Sequence, residues 1–144
     1  MARILVVYFS QTGNTKQMAE LVAEGAGADD HDVTLVEVRE LNIEDFPSYD
    51  AYALGSPDYF TYVAGEMKTL FDRALSQVAR LKRKPVVTLV SHGGGGGAIE
   101  YLDKLAKSIG LAQVCDGVKC QGAPEKQSAD ACRELGKRLS AAVD

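Results

Sequence analysis

A short polar loop near the start of the chain carries the first residues whose types and spacing point to chemistry. It follows an apolar run from Arg3 to Phe9 and reads Ser10-Gln11-Thr12-Gly13-Asn14-Thr15. An amphipathic segment comes next, so we expect a helix N-terminus here, where unpartnered N–H groups and the helix dipole favour anions. Gly13 permits a tight turn. Because the loop has no Lys or Arg, an anion there would be held by hydrogen bonds rather than by a paired charge, which predicts a permanently bound monophosphate. The alternative is a well-capped helix after an ordinary turn.

Other phosphate-handling loops have patterns that this loop does not match. The G-x-x-x-x-G-K-[ST] pattern of nucleoside triphosphate-binding proteins is absent. A phosphatase loop of the form C-x5-R needs a cysteine, and a receiver domain needs acidic residues after the first and third strands to hold Mg²⁺. Ser10-Gln11 and Ser56-Pro57 stand at those two places. We therefore expect no metal site.

A second candidate loop is rich in aromatic residues. It reads Gly55-Ser56-Pro57-Asp58-Tyr59-Phe60-Thr61-Tyr62. Aromatic side chains in a polar loop tend to have ligands or partners, and they stack on planar groups. We predict that Tyr59 contacts a planar ligand, and that at least one of the three aromatic rings folds back over the domain.

A run of five glycines marks the third candidate loop. The loop reads Ser91-His92-Gly93-Gly94-Gly95-Gly96-Gly97. Such a run costs backbone entropy, so close approach to a flat ligand is one reason for it. His92 has the chemistry to stack, to hydrogen-bond or to titrate near neutral pH; a surface histidine beside a flexible loop is the alternative. The run also fits a dinucleotide fingerprint with Asp116, but that fingerprint belongs to the first strand-helix-strand unit of a fold.

The hydrophobic period of the chain alternates between strands and helices. Strands are predicted at residues 3–9, 33–38, 51–55, 86–90 and 112–120. Helices are predicted after residue 15, between residues 57 and 84, after residue 97 and at the C-terminal end. This alternation predicts an α/β three-layer sandwich with a five-stranded parallel sheet, order 2-1-3-4-5, as a single domain over residues 1–144. Ligands of such sheets bind beyond the carboxyl ends of the strands, where the three loops lie.

Composition and charge limit the function classes. The chain has 144 residues, of which 46% are hydrophobic and 25% charged, and its net charge of −4 makes a nucleic-acid surface unexpected. No apolar run predicts a membrane span or a signal peptide, and three cysteines without a C-x-x-C pair indicate reduced thiols. We therefore predict a cytoplasmic protein. Acidic residues dominate from Asp29 to Asp58 and basic residues from Lys68 to Lys84. This separation of charge either steers a charged partner or is a solvated surface without a functional role.

The first loop, directly after an N-terminal strand, resembles the T/S-x-T-G-x-T signature of the flavodoxin family, and the resemblance extends along the whole chain. It implies a flavodoxin-like fold and FMN bound non-covalently through its phosphate, with redox chemistry at the isoalloxazine ring. The last strand lacks a long insertion and resembles that of short-chain members. No catalytic residue is assigned. The cofactor-binding residues expected from the three loops are Ser10, Gln11, Thr12, Gly13, Asn14, Thr15, Ser56, Pro57, Asp58, Tyr59, Phe60, Ser91, His92, Gly93 and Gly94.

The second loop and the helix after it resemble a different branch of flavodoxin-like proteins. Ser56-Pro57-Asp58-Tyr59-Phe60 and residues 64–73 are closer to NAD(P)H:quinone oxidoreductases and FMN reductases. Two functions therefore stay open. An electron carrier would shuttle low-potential electrons between a reductase and an acceptor protein, which the short chain and the acidic region favour. An enzyme would take hydride from NAD(P)H and reduce a quinone, which the second loop and the glycine loop favour.

Overall fold

The computed structural model describes residues 1–143, which contain seven strands and five α-helices. The strands are β1 (Arg3–Tyr8), β2 (Asp32–Glu37), β3 (Ala51–Tyr59), β4 (Tyr62–Val63), β5 (Pro85–His92), β6 (Ala112–Gln113) and β7 (Val118–Gln121). The helices are α1 (Asn14–Ala26), α2 (Gly65–Ala74), α3 (Val78–Leu81), α4 (Ala98–Ser108) and α5 (Lys126–Ala142). The helix predicted between residues 57 and 84 is divided, because a 3₁₀ turn at Leu75–Gln77 separates α2 from α3.

The central sheet is parallel and has the order β2-β1-β3-β5, with β6 and β7 both paired to β5. β6 and β7 together occupy the fifth position of the sheet. Apolar side chains from helices cover both of its faces. The predicted three-layer α/β sandwich with strand order 2-1-3-4-5 is therefore confirmed.

The fifth strand is interrupted, where one strand was predicted from residue 112 to residue 120. β6 ends opposite Val86 and β7 begins opposite Leu89, so four residues (114–117) lie opposite two (87–88). This is a bulge, which re-aims the strand without ending its pairing. Gly117 permits it, because a Cβ there would collide with Thr88.

Apolar side chains alternate between the two faces of the buried strands. In β1, Ile4 and Val6 pack toward α1 and α5, whereas Leu5 and Val7 pack toward α2 and α4, and all four are fully buried. A strand buried on both faces must be apolar throughout, which explains the continuous apolar run in the sequence. Within residues 1–143, no helix combines the length and the apolar character that a bilayer span requires.

Helices α1 and α5 touch through their backbones. A Cβ at Gly25 would collide with the carbonyl of Arg133, and a Cβ at Gly136 would collide with the carbonyl of Val22. Each helix thus presents a glycine to the main chain of the other, and any side chain there would force the helices apart. The contact fixes the position of α1 and of the loop that precedes it.

Candidate functional site

Residues of the three loops meet at the carboxyl edge of the sheet, beyond the ends of β1, β3 and β5. They surround a cleft of about 370 Å³, which we name the central cleft. Its lining residues are Thr12, Asn14, Pro57, Asp58, Tyr59, Ser91, His92, Gly93, Gln121 and Gly122. This is the edge at which doubly wound sheets bind their ligands.

The first loop turns sharply into α1. Gly13 has a φ of 98°, in the left-handed region that favours glycine, and its N–H donates to Ser10 Oγ at 3.1 Å. Among the described residues, no side chain caps α1, and its first turn, beginning at Asn14, contains no acid. The first amides of the helix are therefore available to an anion.

Thr15 and Ser91 join the first loop to β5. Their hydroxyl oxygens are 2.7 Å apart, and both residues are buried. Ser91 lines the central cleft, whereas Thr15 does not. The pair therefore holds the first loop at a fixed distance from the third.

Tyr59 connects the second loop to the first. Its hydroxyl donates to Gln11 Oε1 at 2.7 Å, and the residue forms part of the cleft wall. Burial, and to a smaller extent the carboxylate of Glu66, raises the pKa of Tyr59, so the phenol stays protonated at neutral pH. The hydrogen bond holds the aromatic ring where a planar ligand in the cleft would contact it.

The second loop is a hairpin, where the sequence predicted a loop after a strand ending at residue 55. β3 continues to Tyr59, which pairs with Tyr62 of β4, and Phe60 and Thr61 form the two-residue turn. Both turn residues have positive φ, 57° and 69°, although this kind of turn normally takes Asn, Asp or Gly. Phe60 is fully exposed, so its own packing does not compensate for the strain.

Asp58 and Ser56 hold this hairpin in place. Asp58 Oδ1 accepts from the N–H of Thr61 at 2.8 Å, and Oδ2 accepts from the N–H of Ala98 at 3.2 Å, at the start of α4. Ser56 is fully buried; its hydroxyl accepts from the N–H of Ala64 at 2.9 Å and donates to the carbonyl of the next residue at 2.8 Å. Ser56 therefore supports the hairpin from inside, whereas Asp58 both supports it and lines the cleft.

The three aromatic side chains of the hairpin have different surroundings. Tyr59 is half-buried in the cleft wall, and Phe60 projects into solvent. Tyr62 packs edge-on against Tyr101 of α4, with ring centroids 5.2 Å apart. One of the three rings therefore packs back on the domain, as the sequence predicted.

The glycines of the third loop serve different purposes. Gly96 has a φ of 71°, and a Cβ there would lie 2.8 Å from the ring of His92. A Cβ at Gly97 would lie 2.7 Å from the methyl group of Thr61, so the glycine lets the third loop rest on the hairpin. Gly93 and Gly94 are exposed, and neither has a positive φ. A Cβ added at either position would have no other atom within 4 Å. They leave the mouth of the cleft free of side chains.

His92 lies in the wall of the central cleft. Its Nδ1 is buried and has no hydrogen-bond partner among residues 1–143. Buried polar atoms are nearly always paired, so an orphaned nitrogen in the wall of a cleft points to a partner on a ligand.

Gln121 and Gly122 complete the cleft, and neither was predicted as a site residue. The N–H of Gly122 donates to the carbonyl of His92 at 2.9 Å, and Gln121 Nε2 donates to the carbonyl of Gly93 at 3.2 Å. Both residues stand at the carboxyl end of the fifth strand position. The rule that ligands bind at the carboxyl ends of parallel strands, applied to that strand as well, predicts them.

The chemistry of the central cleft fits FMN. Over residues 1–143, no Lys or Arg lines it, and no group of three or more His, Cys, Asp or Glu side chains is placed to hold a metal ion. The uncapped amides of α1 suit a phosphate, the ring of Tyr59 suits the face of an isoalloxazine, and His92 Nδ1 suits a polar edge of that ring.

Comparisons with known proteins agree with this fold. The family model described as Flavodoxin matches residues 6–136. The chain is 34% identical to a flavodoxin from Aquifex aeolicus, over 97% of this chain and 86% of the relative. It is 30% identical to a coenzyme F420H(2) oxidase from Methanothermobacter marburgensis, over 98% of this chain and 36% of that longer protein. A solved structure of a flavodoxin from the domain Archaea has a TM-score of 0.90 at 23% identity, covering 98% of both chains. The chain therefore belongs to the flavodoxin family.

Proposed function

We propose that this protein carries electrons between redox proteins on FMN bound in the central cleft, and that residues 1–144 form one FMN-binding domain. The function follows from membership of the flavodoxin family. The observation that supports this cleft as the FMN site is the meeting of uncapped helix amides, the Tyr59 ring and the orphaned His92 Nδ1 at one place. These groups provide for an anion, an aromatic face and a polar edge, which FMN combines in one molecule.

The first loop would hold the phosphate. Backbone N–H groups at the start of α1, together with the side chains of Thr12 and Asn14, surround the position that an anion takes at a helix N-terminus. Tyr59 would cover a face of the flavin, and Ser91 and Gly93 would bound its other side. Bound FMN supplies a ring that accepts and delivers electrons; the protein residues bind it, orient it and exclude water.

The charge of the cleft favours a low reduction potential. Asp58 lines it, and no Lys or Arg of the described residues does. Reduction adds electrons to the flavin, and negative charge on the ring is unfavourable beside a carboxylate and against an aromatic face. We therefore expect bound FMN to be harder to reduce than free FMN.

The partners and the compartment follow from charge and thiol chemistry. The acidic stretch from Asp29 to Asp58 would steer a partner protein with a basic surface, so electron transfer should slow as ionic strength rises. Cys115, Cys120 and Cys132 are free thiols, the state that a reducing compartment maintains, and we propose the cytoplasm.

Anaerobic reduction of the FMN-loaded protein tests the proposed function. We expect the oxidised spectrum to persist in NADH and NADPH, and to bleach when a flavoprotein reductase or dithionite supplies electrons singly. Free FMN with the same nicotinamide is the control. Rapid bleaching by a nicotinamide alone would replace the carrier with an NAD(P)H-dependent reductase, the alternative that the second loop resembles.

A further inference from the structure

His92 is held in the wall of the central cleft through both its main chain and its side chain. Its carbonyl accepts from the N–H of Gly122 at 2.9 Å, and the residue is paired with Gln121 in the register of β5 and β7. Gly96 lies against the imidazole, because a Cβ at residue 96 would stand 2.8 Å from Cδ2 and 3.2 Å from Nε2. The third loop therefore folds closely around the ring, which a surface histidine beside a flexible loop does not require.

The protonated form of His92 needs an acceptor that the described chain does not supply. A neutral imidazole has one N–H and one bare nitrogen, whereas an imidazolium has an N–H at both positions. Nδ1 of His92 is buried and has no hydrogen-bond partner within residues 1–143. A buried N–H without an acceptor is unfavourable. An acceptor on a ligand in the cleft would remove this cost.

Charged side chains flank His92 on different elements. Asp58 lines the same cleft from β3, and its two oxygens already accept backbone N–H groups. Lys119 of β7 lies on the other side of Gly96, where its Cδ would be 2.9 Å from a Cβ at residue 96. Neither charge is hydrogen-bonded to His92 in the part of the chain that the structure describes. The other titratable side chains on the adjoining parts of β3, β7 and α4 are Tyr59, Cys120 and Glu100.

We propose that His92 takes up a proton when the flavin in the central cleft accepts electrons, so that the two events are coupled. The proposal rests on the proposed function, because it needs FMN in this cleft. An electron from a partner protein adds negative charge to the flavin ring. A proton from water then binds the imidazole of His92, whose Nδ1–H donates to a polar atom of that ring. One electron and one proton enter, so the net charge of the cleft does not change.

The coupling makes the reduction potential depend on pH in a defined direction. If electrons on the ring favour protonated His92, protonated His92 favours electrons on the ring by the same factor. For opposite charges joined by a hydrogen bond, we expect a factor of about ten or more. For one electron, a tenfold change corresponds to about 59 mV. His92 should therefore raise the potential at low pH, and this effect should vanish once the pH is high enough to keep His92 neutral in both states.

Substitution of His92 by Gln tests the proposal, because an amide keeps hydrogen-bonding atoms but does not titrate. The measurement is spectroelectrochemical titration of the FMN-loaded full-length protein from about pH 5 to about pH 9, which brackets the ordinary titration of histidine. We expect the wild type to lie about 59 mV or more above His92→Gln at the acidic end, and the two to converge at the basic end.

His31→Gln is the matched control, because His31 is the other histidine of the chain. It accepts from the N–H of Ala2 at 3.1 Å and directly precedes β2, at the amino edge of the sheet, opposite the cleft. Its potential should follow the wild type at every pH.

Proton NMR of the wild type gives a second readout that does not depend on a variant remaining folded. The Cε1–H signals of the two histidines report the protonation of each ring separately. We expect complete reduction of bound FMN to raise the proton affinity of His92 by about tenfold or more and to leave His31 unchanged.

Several results would overturn the coupling and leave the proposed function intact. One is a potential difference between wild type and His92→Gln that stays constant with pH. Another is a His92 signal that titrates at the same pH in the oxidised and the reduced protein. Equal changes at both histidines also overturn it, because the effect is then not local to the cleft. A chain that is folded by circular dichroism but does not bind FMN contradicts the proposed function, and this inference fails with it.

Discussion

Replacement of Phe60 by Asn tests whether the hairpin turn stores strain beside the central cleft. Phe60 has a φ of 57° and is fully exposed, so Asn would lose no buried surface. Asn enters the left-handed region far more readily than an aromatic residue. A residue held there against its preference costs on the order of 1–3 kcal/mol. We use the lower end of this range of strain energies, because the hydrogen bond from the N–H of Thr61 to Asp58 stabilises the turn. We therefore expect Phe60→Asn to raise the free energy of unfolding of the flavin-free protein by about 1 kcal/mol.

Urea unfolding of the flavin-free protein measures this change. Phe60→Ala is the matched control, because it removes the same ring but keeps a residue that disfavours positive φ; its stability should stay within about 0.5 kcal/mol of the wild type. Phe60 is also one of the residues predicted from the sequence to contact FMN, and on that prediction both variants should bind FMN about two- to tenfold more weakly. Equal stability of Phe60→Asn and Phe60→Ala would show that the turn is not strained. Unchanged FMN affinity would show that Phe60 lies away from the cofactor.

Three further predictions concern the parts that support the cleft. Gly136→Ala should cost about 2 kcal/mol or more in urea unfolding, since its Cβ meets the backbone of α1, whereas Gly65→Ala, with open space around it, should gain about 0.5 kcal/mol; equal effects would refute the close contact. Tyr59→Phe loses the hydrogen bond to Gln11 and should cost about 1 kcal/mol, and no loss would mean that the bond is absent in solution. Burial raises the pKa of Cys132 from 9.0 to about 11, so its stabilising contribution is complete below pH 9.0 and is lost as the pH rises through 11; Cys132→Ala should flatten the fall in stability over that range, and an unchanged slope would contradict it.

The fold could be predicted because its determinants are local and periodic. The alternation of buried strands with amphipathic helices admits only a parallel sheet covered on both faces, and the strand order follows. The bulge in the fifth strand depends on one close approach, between Gly117 and Thr88, which no local pattern reveals. The reciprocal contacts of Gly25 and Gly136 have the same character: each glycine is explained only by the backbone of a distant helix.

The site could be predicted in outline, but its internal supports could not. The loops after the first, third and fourth predicted strands meet at one cleft because the carboxyl ends of parallel strands share an edge. The hairpin was not predicted, because Phe60 and Thr61 lack the Asn-Gly signal of its turn and depend on Asp58, which also binds the N–H of Ala98. The glycine run looked uniform, yet Gly96 is required by the ring of His92, a contact that the sequence does not disclose.

The central claim is that the first loop holds the flavin phosphate with backbone amides and short polar side chains, without a cation. The most direct measurement is calorimetric titration of the flavin-free protein with FMN and with riboflavin, which differ only by that phosphate. Hydrogen bonds to a charged group contribute about 1.5–3 kcal/mol each, so we predict that FMN binds at least about 100-fold more tightly than riboflavin. Equal affinities, or no binding of FMN by the folded chain, would contradict the claim.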